Sequence, residues 1–410
     1  MARVVSERHP GLVARSVNRS VVVAGAGVAG LEFLLALREL AGDRVDITVV
    51  DPAEEFTYEP TAVLAAAGTA SVTRFRLDAL LEDIGVDRVA GRLEGVESVR
   101  REALTSVGAF SYDTLVVACG GRLEEDVAGA LTFGGAASVG EFRALLARLR
   151  AGELDDIVFG VPRGVLWHLP LYELALQVAR IVQRDGLATS VTIVTPEETP
   201  LGLFGISASQ AIQRVLAGAG VEVRAGDHLI EIESDHVRLL YEQTIPADAV
   251  VMVPRLVGPS LAGLPSAEDG FVAADPEGRV FGTDGVFVIG DAAPFPVKQG
   301  GIATQQADVV ASYVARLSGV DVEPRSFEPV LRGLLLTGDA PRYLRSEIAP
   351  GHGESSEVTT EPLWWPPAKI SGRHLAPFLA ELSGREIVSP EPDRDDVKID
   401  LRVEIEPGTA

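Results

Sequence analysis

Residues 21–40 read VVVAGAGVAGLEFLLALREL. The β-branched run Val21–Val23 predicts a short buried strand, and the apolar, strongly helix-forming stretch Leu31–Leu40 predicts a helix. Between them Gly25, Gly27 and Gly30 form G-x-G-x-x-G. In that setting the first glycine permits a tight turn, the second lets main-chain N–H groups approach a diphosphate, and the third lets helix and strand pack closely. Val28 and Ala29 open the helix, whose unpaired N–H groups add partial positive charge. A further strand, Ile47–Asp51, ends 21 positions beyond Gly30. There a carboxylate can accept hydrogen bonds from ribose hydroxyls and would repel a 2′-phosphate. Strand, glycine loop, helix and strand make a βαβ unit, whose crossover implies a parallel sheet. The expected ligand is an unphosphorylated adenosine dinucleotide, with FAD and NAD both open at this point.

The 410-residue chain is long enough for two or three domains. Its formal charge of −23 repels a phosphate backbone and disfavours nucleic acid as a partner. The one cysteine, Cys119, cannot form an intrachain disulfide, and the histidines show no metal-ligand spacing, so no metal is expected and His9, His228, His236, His352 and His374 receive no role. Cys119 is expected to be a buried small residue rather than a nucleophile. The basic N-terminus before the apolar stretch imitates a signal peptide, but three glycines and Glu32 interrupt that stretch, and a strand–turn–helix explains it better. A cytoplasmic protein is expected.

Farther along, short β-rich pieces predict a small antiparallel excursion before a buried strand at Thr114–Ala118. From Asp155 the opening order restarts: strand, a helix around Tyr172–Val182, and the strand in SVTIVTPEET, which matches DITVVDPAEE in length and shape. The fold class is α/β, with two Rossmann-like βαβ domains, the first discontinuous, and a small C-terminal region. The expected domains are a dinucleotide-binding one at 1–150 and 269–337, a second at 151–268, and a lid or interface region with an acidic tail at 338–410. VKIDLRVEI in that tail has strand character.

Four segments carry a resemblance to a known group: VVVAGAGVAG with Asp51, TLVVACGG (114–121), GVFVIGDAA (285–293) and VKQGGIATQQA (297–307). They resemble those of the two-dinucleotide-binding-domain flavoproteins, which include type II NADH dehydrogenases, sulfide:quinone oxidoreductases and flavocytochrome c sulfide dehydrogenases. The resemblance implies non-covalent FAD in the first domain. It places Ala118, Cys119 and Gly120 in a nucleotide-side turn, Gly290 and Asp291 at the ribityl and phosphate region, and Lys298, Gly300, Gly301 and Ile302 beneath the isoalloxazine. A helix N-terminus and Lys298 beside that ring would stabilise an anionic reduced flavin.

The second domain departs from the pattern. Aligning Glu173–Ala175 with the usual E-L-A puts Leu166, His168 and Leu171 where glycines belong and Thr195 at the ribose-acid position. Trp167, His168 and Pro170 would crowd a diphosphate, which weakens the case for NAD(P)H as a diffusible donor. HLPLYELAL resembles an element of the sulfide dehydrogenase branch, yet the lone cysteine disfavours sulfide oxidation. Tyr172, Trp167 and His168 either line the pocket opposite the flavin or fill the core left by the lost glycines; with Lys298, Tyr172 and Trp167 are the candidate catalytic residues. Where type II NADH dehydrogenases carry A-Q-x-A-x-Q, this chain has Gly300–Gln305 with one glutamine kept, which leaves a quinone acceptor open. Segment 362–382 reads as a packed lid or subunit contact more readily than as a membrane foot, and a homodimer is open. The function expected is an FAD-dependent oxidoreductase with small-molecule donor and acceptor. The alternative is a flavin-bound protein whose degenerate donor site serves as an interaction or assembly platform.

Overall fold

The computed structural model describes residues 18–347 and 356–384. The first sheet holds strands Val286–Val288, Thr114–Val117, Arg19–Ala24, Val45–Val50 and Asp87–Val89 in that order, all parallel. Val21 and Val23 point to one face of the sheet and Val22 and Ala24 to the other, and both faces are buried. That is why the strand is an unbroken apolar run rather than an alternation. Helix α1 (Val28–Ala41) makes the first crossover. The predicted excursion is present as the antiparallel strands Leu93–Glu97, Glu102–Thr105 and Gly108–Ser111.

A second parallel sheet orders Leu131–Thr132, Ala249–Met252, Asp156–Gly160, Ser190–Thr195 and Val221–Ala225. It reaches back to Leu131, ahead of the boundary at 151 that the sequence suggested; a two-residue strand has no periodicity to read. Helices α2 (Leu169–Asp185) and α3 (Ile206–Gly218) belong to this unit. The chain then returns to the first sheet at Val286–Val288 and runs into helix α4 (Gly300–Leu317), whose Ala307, Val310 and Val314 share a core with Leu34 and Leu37 of α1. An antiparallel sheet of Val330–Leu335, Arg342–Glu347 and Ser356–Thr359 follows, then helix α5 (Leu375–Leu382). No described helix is long and apolar enough to cross a membrane. His9, His352 and VKIDLRVEI lie outside the described residues.

Candidate functional site

A cleft of about 980 Å³ opens where the first sheet's strands end at their carboxyl termini. Gly25, Asp51 and Ala118–Gly120, each directly after a strand, and Gly290–Asp291, one residue beyond another, form one wall. Residues 163–167, 169–170 and 253–256 of the second unit face them, and Lys369 and Ile370 come from the C-terminal segment. Such a crevice beyond the strand ends is where open α/β sheets bind ligands.

The glycine loop is tight against its own scaffold and open toward the cleft. A Cβ on Gly25, which sits at φ +109°, would lie 2.3 Å from the Ala118 carbonyl oxygen, and one on Gly30 would lie 2.1 Å from that of Gly25. A Cβ on Gly27 meets nothing within 4 Å, so its space faces the cleft. Asp51 steadies the loop: Oδ2 accepts from the Ala26 amide and Oδ1 from the Ala53 amide, both at 2.7 Å. Each oxygen keeps acceptor capacity for a sugar hydroxyl. These residues fit an adenine dinucleotide.

Val28, Ala29, Lys298 and Gly300 also line the cleft. Gly30 lies beneath it as a packing residue. Gly301 and Ile302 are not on its wall: a Cβ on Gly301 would press on the Gln299 side chain and Ser371, and Ile302 is buried in the core. The expectation for those two is corrected to Gln299, which lines the cleft and caps α4 by accepting from the Ile302 amide at 2.9 Å. Cys119 is exposed on the cleft wall rather than buried. Desolvation by the surrounding walls pushes its thiol up to about 11, so it is protonated at neutral pH.

Lys298 reaches back to the carbonyls of Ala293 and of Asp291, the latter at 3.3 Å, and its ammonium lies 3.6 Å from the centre of the Phe271 ring. Burial lowers its pKa to about 8, opposed by Asp291. Asp291 is itself pushed up by burial and pulled back by Lys298. Each of the two thus favours the other's charged form on the cleft wall. Glu59, which the sequence did not single out, also lines the cleft; it accepts from the Ala136 amide at 2.7 Å, and desolvation raises its pKa.

In the second unit the nucleotide position is filled from within. Glu197 Oε2 accepts from Tyr172 Oη at 2.8 Å and Thr195 Oγ1 at 3.1 Å and lies 2.7 Å from His168 Nε2. Although burial alone would raise its pKa, the His168, Tyr172 and Thr195 contacts hold Glu197 below the usual carboxylate value. Tyr172 is fully buried and off the cleft, which removes it as a catalytic candidate; it and His168 fill the core. Trp167 does line the cleft, its ring 6.0 Å from that of Phe204.

The residue after Tyr172 is more consequential. Glu173 is fully buried, and Lys369 Nζ sits 2.6 Å from its Oε1, which also accepts from the Leu336 amide at 2.8 Å. Desolvation pushes Glu173 up, and Lys369 and the amide pull it back. Lys369 is thereby fixed on the cleft wall, although 196 positions separate the partners.

A second buried carboxylate anchors α5. Glu32, on α1, accepts from the His374 amide at 2.8 Å and the Leu375 amide at 2.7 Å. His374, given no role by the sequence, lies 3.2 Å from Glu39 and 3.6 Å from Asp308, with Arg325 and Arg373 nearby. Desolvation, then Asp308, raises Glu32 to about 7. The folded protein therefore keeps a proton that the unfolded chain releases from about pH 4.5 upward. The resulting stability is complete below that pH and is lost as pH rises through about 7, on the order of 3 kcal/mol. Unfolding measured at about pH 5 and about pH 7.5 should show this decline, and Glu32→Gln should flatten it; identical slopes in both proteins would contradict the assignment.

Two parallel sheets, a glycine loop with its terminal acid and a cleft between the units define an architecture of two Rossmann-like units. The family described as pyridine nucleotide-disulphide oxidoreductase matches residues 172–309. Sulfide:quinone oxidoreductase of Aquifex aeolicus superposes with a TM-score of 0.76 at 21% identity, covering 83% of this chain and 87% of that one. NDH2 of Plasmodium falciparum, solved with NADH, gives 0.63 at 12% identity, covering 90% and 94%. A chain of the Tetrahymena thermophila mitochondrial ATP synthase gives 0.65 at 14% identity, covering 93% and 100%. Identities this low speak for the fold.

Proposed function

We propose that the chain is an FAD-dependent oxidoreductase whose donor is not a nicotinamide dinucleotide and whose acceptor is a small molecule such as a quinone. The observation that carries this reading is the cleft, with main-chain amides around open Gly27 for the diphosphate, Asp51 for the ribose and Lys298 with the start of α4 on the same wall. Bound there, FAD would supply two-electron chemistry. Gln299 and Gly300 would support one side of it, and the Lys369 ammonium, held by Glu173, would offer a proton to a reduced acceptor. Purified protein should be yellow. Colourless protein that FAD cannot reconstitute would end the proposal.

The donor assignment rests on the filled second site. His168, Tyr172, Thr195 and Glu197 satisfy one another where a second dinucleotide would need open main chain, and opening that network would leave buried polar groups unpaired. Neither NADH nor NADPH is expected to bleach the flavin in anaerobic stopped-flow mixing; rapid bleaching by either would refute this part. Cys119 as the lone thiol argues likewise against disulfide-forming sulfide chemistry.

A second reading is a flavin-bound assembly protein without turnover. The ATP synthase chain that this protein covers over its full length favours it. Steady turnover with a quinone or dye acceptor would exclude it, whereas a stable flavin complex without turnover would support it.

A further inference from the structure

We propose that the outer face of the second unit carries a pocket for a multivalent phosphate group, separate from the flavin cleft. The pocket, about 430 Å³, lies between α2, α3 and the turn that leads from Val330–Leu335 into Arg342–Glu347. Its charged wall consists of Arg180 on α2, Arg214 on α3, and Asp339 and Arg342 beside the turn. Three permanently charged arginines thus line the pocket beside one carboxylate, on a chain whose formal net charge is −23. Such a local reversal of sign in a concavity attracts anions.

The donors are unequally committed. Arg180 pairs with Asp339, donates to Gln183 Oε1 at 3.2 Å and directs its Nε toward the Thr337 carbonyl at 3.5 Å. Arg342 donates to the carbonyls of Ala340 at 2.7 Å and Pro341 at 3.2 Å. Arg214 makes no hydrogen bond or ion pair among the described residues, so its whole fork is free. Because the three forks come from separate elements, they suit an anion that accepts along several directions, as a tetrahedral phosphate does and a planar carboxylate does not. Gly218, at the carboxyl end of α3, brings carbonyl charge of the unfavourable sign, but Gln183 Nε2 donates to its oxygen at 3.2 Å.

Asp339 gives the proposal its sharpest sign. Its side chain is 64% exposed and already lies on Arg180, where it plays the part of an internal anion. A phosphate ligand would displace it toward solvent. Removing the carboxylate should therefore strengthen binding, whereas reversing the free arginine should abolish it.

The test is calorimetric titration of inorganic pyrophosphate into the full-length protein at low ionic strength, with FAD added to fill the cleft's own diphosphate site. One saturable equivalent is expected in the unmodified protein. Arg214→Glu, on a solvent-facing position, should weaken it at least about tenfold, and Asp339→Asn should tighten it roughly threefold, with the flavin spectrum unchanged in both. No saturable binding, an affinity indifferent to Arg214→Glu, or weaker binding in Asp339→Asn would overturn the proposal.

Discussion

Gly27→Val is expected to give a folded protein that does not hold FAD. Gly27 precedes α1 at φ −74°, a value any L-residue adopts, and a side chain there meets no protein atom within 4 Å. The valine would stand in the cleft where amides must come within hydrogen-bonding distance of a diphosphate, so FAD affinity should fall by about 100-fold or more. The stability of the cofactor-free protein should change by no more than about 1 kcal/mol, the usual scale for a changed helix cap. Gly25→Ala provides the contrast. Its Cβ would collide with the Ala118 main chain at a positive φ, so that variant should lose the fold and the cofactor together. Absorbance of dialysed protein and its thermal unfolding separate the two outcomes. A yellow Gly27→Val protein with undiminished FAD affinity would remove the diphosphate from this loop.

What the sequence made legible was local. A βαβ unit is specified by neighbours along the chain, as the strand, glycine loop, helix and strand from Arg19 to Val50 show. Asp51 was legible because its distance from the glycines follows from the length of the crossover. The side chains that face inward at a helix start were harder. Gly300 and Gly301 are adjacent, but successive helical residues point about 100° apart, so one reaches the cleft and the other presses on Gln299.

Charge pairs across the chain left no local trace. His168 and Tyr172 read as lining a pocket or filling the core left by the lost glycines, yet the carboxylate that satisfies them, Glu197, is ordinary in sequence. Glu32 was visible only as a polar interruption in an apolar stretch, and its reason is the amino end of α5, more than three hundred positions away. The physical rule that a buried carboxylate must find donors predicts a partner, but not which one.

Lys369→Met is expected to be among the most damaging single substitutions for stability. It removes the cation from a carboxylate with no solvent exposure and leaves Glu173, among the described residues, with only the Leu336 amide that donates to its Oε1. Breaking such a pair from one side typically costs about 3–5 kcal/mol, because the remaining charge is stranded. Glu173 would then take up a proton, its pKa raised further, so the variant's stability should fall as pH climbs past the ordinary carboxyl range. Two further variants test whether charge is the cause. Glu173→Gln leaves an ammonium that is 15% exposed and borders the cleft, so its loss should be smaller; in Glu173→Gln with Lys369→Met no charge remains to strand, and most of the stability should return. Turnover would remain impaired in that double variant if Lys369 supplies a proton at the cleft, whereas a purely structural pair would let activity recover with stability. A Lys369→Met protein within about 1 kcal/mol of the parent, with an unchanged pH profile, would mean that water or another donor already satisfies Glu173.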